Sequence, residues 1–129
     1  MGKLIRIKTA DIIPSQDFIK DGTIRYIKDC INKGREDELP PTPIIRKHPK
    51  TSKYIAIDGH NLLVAYDSLD KELEMYVAES KDDGLTGSSD AIMKRNQDLK
   101  EKFDQVLESI KNIDVKTIGE LRKKYRIKI

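Results

Sequence analysis

The chain has no tryptophan, one cysteine, two histidines and two phenylalanines among its 129 residues. Each scarcity removes a class of function. A lone Cys30 cannot form an internal disulfide, and its place among Ile24, Ile27 and Ile31 at helical spacing suits a small buried core residue. One cysteine and two histidines in separate segments, His48 and His60, cannot make a zinc centre, so no metal site is expected. The few aromatics form no base-stacking pattern of an RNA-binding sheet. Neither a glycine-rich dinucleotide fingerprint, a Walker phosphate loop nor a nucleophile elbow is present. Apolar runs stay far short of the ~20 residues that span a bilayer. The first residues lack the apolar block of a signal peptide and the hydroxyl of a myristoylation signal, so a cytoplasmic protein with no membrane partner is expected.

What is present is charge and a spread of aliphatic residues. Charged residues are 36% of the chain and apolar residues 37%, enough to build one core. The net charge of +3 is uneven. Residues 114–129 carry Lys116, Arg122, Lys123, Lys124, Arg126 and Lys128 against Asp114 and Glu120, a balance of +4, and the rest of the chain sums to −1. A basic end on a nearly neutral body points to a polyanion, and these six side chains are the candidate contacts to nucleic acid phosphates.

Hydrophobic spacing predicts an α/β (α+β) domain over residues 1–80, a polar loop at 81–89, and two helices in a C-terminal extension over 90–129. Leu4–Lys8 alternates as a half-buried strand, and Asp11–Ser15 is a turn. A helix is expected over about Thr23–Lys33 with Gly34 at its end. A proline-rich connection leads to strands near 43–46 and 54–58, joined as a hairpin. At Gly59 the period changes to that of a helix, with Asp58 or Asn61 as its cap. Glu72–Ala78 alternates, with Leu73, Met75 and Val77 inward and Glu72, Glu74 and Tyr76 outward. A long helix over 90–111 has an apolar stripe including Ile92, Leu99, Phe103, Val106, Leu107 and Ile110, a surface for packing or for a homodimer. Thr117-Ile118-Gly119-Glu120 is a capping-box pattern that starts the last helix.

The candidate site is the strand-to-helix junction Asp58-Gly59-His60-Asn61. Free amides at a helix start attract anions. Asp58 and His60 are the candidate catalytic pair, one orienting a hydroxyl or holding a metal, the other as acid/base. Gly59, His60 and Asn61 are the candidate phosphate ligands. The plainer alternative is a capping Asp58 and a first-turn His60.

Over residues 4–80 the motifs follow in a familiar order. Ile12-Ile13-Pro14-Ser15, a helix ending at Gly34, Pro43-Ile44-Ile45-Arg46, and Tyr54-Ile55-Ala56-Ile57-Asp58-Gly59 followed by a Leu/Ala helix together resemble the ParB/sulfiredoxin-like superfamily, often labelled a ParB-like nuclease domain. Its ParB branch carries Gly-Glu-Arg-Arg-x-Arg, where arginines grip nucleotide phosphates; here those places hold His60, Asn61, Leu62 and Val64. Where sulfiredoxin has its catalytic cysteine this chain has His60. A third branch, which includes free-serine kinases, carries Asp-Gly-His-His-Arg, and Asp58-Gly59-His60 matches its first three positions. That branch implies a nucleotide with Mg²⁺ as cofactor, Asp58 beside an accepting hydroxyl, His60 at phosphates, and Asp17 as a further candidate base. The missing arginine removes a charge-assisted contact worth about 1.5–3 kcal/mol. The resemblance and the basic end together imply a ParB-like DNA-associated binding domain without efficient catalysis. Two alternatives stand beside it: a nucleotide-dependent phosphotransferase or nuclease, and a degenerate protein-interaction domain.

Overall fold

The computed structural model describes residues 3–39, 42–78 and 103–127. Four strands form one mixed sheet: β1 (Lys3–Ile7), β2 (Ile44–Lys47), β3 (Tyr54–Asp58) and β4 (Leu73–Ala78). Their spatial order is β1-β4-β2-β3. β1 and β4 are antiparallel with Ile5 opposite Met75, β4 and β2 are parallel, and β2 and β3 close the expected hairpin. Ile13 bridges to Ile55 alongside β3, so the turn after β1 covers that edge. The fold is a small α+β domain, as the hydrophobic spacing predicts.

Among the described residues four α-helices flank the sheet: α1 (Asp21–Asn32), α2 (His60–Ser68), α3 (Phe103–Asn112) and α4 (Ile118–Lys124). α1 starts two residues before the expected Thr23. Its end follows the sequence signal: Gly34 takes a left-handed φ of 70°, and the Gly34 and Arg35 amides donate to Ile31 and Cys30 carbonyls. Cys30 is fully buried. The Thr117 half of the capping box forms as expected, and the Glu120 carboxylate reaches one residue beyond the cap. Thr117 Oγ1 accepts from the Glu120 amide at 3.1 Å, while Glu120 Oε1 reaches back to the Lys116 amide at 3.2 Å.

The sheet is covered on both faces. The larger core joins Ile24, Ile27, Ile45, Leu63, Met75, Val77 and residues of the C-terminal segment, Ile113, Val115, Ile118 and Leu121. The smaller one joins Ile44, Ile55, Ile57, Tyr76 and Ala78, with Val106, Leu107 and Ile110 of α3 packed against it. Two expectations change as a result. Tyr76, expected outward by alternation, is fully buried because its face of the sheet also carries a core. The C-terminal helices are not set apart from the first eighty residues: α4 inserts into the main core, and Val106, Leu107 and Ile110 of the α3 stripe pack on this chain's own sheet. The expected loop at 81–89 and the first part of the expected helix, with Ile92 and Leu99, lie outside the described residues.

Candidate functional site

The junction after β3 is built around Gly59. Its φ of 91° and ψ of 27° are left-handed, a conformation that side chains strain to reach. A Cβ there would also lie 2.7 Å from Pro43 Cβ. Both facts require glycine, and together they turn the chain so sharply that the helix begins at once with His60. Gly59 itself is the N-cap, with no side-chain cap bond, so neither Asp58 nor Asn61 has the capping role expected of it. Asp58 ends β3, half-buried, in register with Ile44.

His60 and Asn61 both turn toward the segment that precedes α1. His60 is 4% exposed. Its Nε2 accepts the Ser15 backbone amide at 3.0 Å and lies 3.3 Å from Ser15 Oγ. A ring nitrogen that accepts a backbone N–H carries no proton, so the neutral ring is protonated at Nδ1. Burial lowers the His60 pKa from 6.5 to about 4. The imidazole is therefore uncharged at neutral pH and brings no positive charge to a phosphate. Asn61 Oδ1 accepts the Lys20 amide at 2.9 Å. The two side chains thus pin residues 15 and 20 against the first turn of α2.

α4 holds the same segment from the other direction. The Ile118 and Gly119 amides donate to the carbonyls of Ile12 and Ala10, and the Tyr125 hydroxyl donates to the Asp17 carbonyl at 3.3 Å. Asp17, the further candidate base, is exposed, and its carboxylate faces Lys124 Nζ at 3.8 Å. The fold brings His60 and Asn61 onto one loop, while the Asp17 carboxylate faces α4.

On the opposite flank of α2, Leu62 and Tyr66 line a cavity of about 180 Å³ with Pro43, Arg6, Glu36 and Glu74. The Tyr66 hydroxyl donates to Glu36 Oε2 at 3.2 Å. Burial first, then the Glu36 charge, pushes its pKa up to about 12. Arg6 and Glu36 come from segments that spacing alone cannot bring beside α2, and the sequence reading missed them.

The basic C-terminal end is less available than its sequence suggests. Arg122 is buried; its Nε contacts Asp67 Oδ2 at 2.6 Å and its guanidinium also donates to the Ile127 carbonyl at 2.8 Å. This is a correction to its place among the DNA contacts, because the pair lies between α4 and α2, away from solvent. Lys116 Nζ donates to the Ile113 carbonyl at 2.9 Å. Lys123 and Arg126 remain exposed, Lys124 faces Asp17, and Lys128 lies outside the described residues. Among the described residues no group of three or more His, Cys, Asp or Glu side chains is placed to hold a metal, and no helix is long and apolar enough to cross a membrane.

No family model and no curated protein matches the chain. Among solved structures it is similar to protein Atu1540 from Agrobacterium tumefaciens, with 17% sequence identity and a TM-score of 0.56 over 94% of this chain. The chain spans 62% of that protein's crystallised length, and the likeness is one of fold.

Proposed function

We propose that the chain is a ParB/sulfiredoxin-like domain that works as a DNA-associated binding module without efficient catalysis. One observation carries the non-catalytic part. The two polar side chains at the start of α2, where the superfamily holds its ligand, are committed to amides of the chain's own loop, at 3.0 Å for His60 and 2.9 Å for Asn61. A neutral, buried His60 and the absence of arginine at Leu62 and Val64 leave that corner with little to stabilise phosphate charge. The DNA part is supported by the exposed Lys123 and Arg126 at the end of α4 and by the net charge of +3.

A second reading, a nucleotide-dependent phosphotransferase or nuclease, is favoured by the cavity beside α2, where Arg6 sets a guanidinium near Tyr66. A thermal-shift screen with ATP, ADP and CTP, each with Mg²⁺, separates the two. The binding-module reading expects no shift with any nucleotide at concentrations well above ordinary affinities, and a DNA gel shift that weakens with salt. A nucleotide-dependent rise in melting temperature that Arg6→Ala abolishes would establish the second reading instead.

A further inference from the structure

The β2–β3 hairpin carries an uninterrupted stretch of positive surface charge. Between Leu39 and Ile57 the chain holds Arg46, Lys47, Lys50 and Lys53 and no acidic residue. Lys47, Lys50 and Lys53 are exposed, and no described residue gives any of them an ion-pair partner. Several exposed cations on other elements face a carboxylate. Lys8 faces Asp70, Lys33 faces Asp29, Lys111 faces Glu108 and Arg25 faces Asp21. Three exposed lysines within seven residues, on a stretch with no carboxylate of its own, concentrate positive charge on one turn.

The turn that carries the cluster is closed on itself. The His48 amide donates to the Lys53 carbonyl at 2.8 Å, and His48 Nδ1 accepts the Lys50 amide at 3.0 Å. Thr51 Oγ1 accepts the Lys53 amide at 3.2 Å. Because Nδ1 is an acceptor, the neutral His48 ring carries its proton on Nε2, as a donor. The backbone of the tip is therefore ordered before any partner arrives, which lowers the cost of binding. A two-stranded ribbon is also one of the two shapes the major groove admits.

We propose that this hairpin is the principal DNA contact, with Lys47, Lys50 and Lys53 gripping phosphates of duplex DNA without reading sequence. The inference rests on the DNA-associated reading above and moves its contact surface from α4 to the hairpin. Lysines are point charges that lack the fork geometry for bidentate base recognition, so the contact is to backbone.

The test is fluorescence anisotropy of the full chain with a labelled mixed-sequence duplex, titrated from low to physiological salt. K47A/K50A/K53A is expected to weaken binding at least roughly tenfold and to lower the log–log salt slope by about 0.9 for each lysine removed. K47R/K50R/K53R is expected to restore binding, and K123A/R126A to have the smaller effect. Matching thermal melts for all variants exclude unfolding, since these side chains are exposed. If the parent binds DNA and K47A/K50A/K53A binds equally well, the hairpin assignment is overturned while the DNA reading stands. If the parent fails to bind at low salt, both fall. If the triple variant loses affinity for anionic phospholipid vesicles but keeps that for DNA, the surface faces a membrane and the proposal fails.

Discussion

His60 turns the acidity of the surroundings into folding stability. The fold favours its neutral form, holding the pKa at about 4 against 6.5 in the unfolded chain. As pH falls the unfolded chain takes up the proton first. The contribution is complete above the unfolded value and is lost progressively as pH falls toward the folded one. Urea denaturation should show the parent chain losing about 2 kcal/mol from this group between neutral pH and about pH 5. His60→Leu should remove that loss, because no group titrates. At neutral pH the same variant should be less stable by about 1–3 kcal/mol, since the Ser15 amide keeps its place without its acceptor. A variant with an unchanged acid limb would show that His60 does not titrate as its burial implies.

At the scale of elements, α4 is held by a charge pair in a nearly dry setting. Arg122 and Asp67 are each 11% exposed at the side chain and meet at 2.6 Å. Removing one partner leaves the other charge buried, so Arg122→Ala should cost about 3–5 kcal/mol in chemical denaturation. Replacing both, as Arg122→Met with Asp67→Leu, should cost much less, since no charge is then stranded. The pair also explains what could be read from the chain and what could not. Period-two alternation at 54–58, the change of period at Gly59 and the Thr117–Glu120 box are local signals, and each element they announce is present. The fate of Arg122 depends on Asp67, 55 residues earlier, and that of His60 on Ser15, 45 residues earlier. A basic run looks solvated until a distant carboxylate meets it. Tyr76 departs from its alternation for a related reason: alternation reports one buried face and is silent on a second layer placed over the other.

For the whole molecule, the C-terminal segment is as much core as the strands are. Ile113, Val115, Ile118 and Leu121 are all buried in the main cluster, and Ile118 and Leu121 are fully so. A fragment of residues 1–80 should therefore lack a cooperative thermal transition and bind hydrophobic dyes, whereas the full chain should unfold in one step. A sharp, reversible transition in the fragment would show instead that the first eighty residues fold alone. The closure of residues 118 and 119 onto 12 and 10 bears on biosynthesis as well. During synthesis the first strand and turn leave the ribosome well before the helix that seals them. The strand edges and apolar faces made early must wait for the part made late, and during that interval they are the surfaces a chaperone would meet.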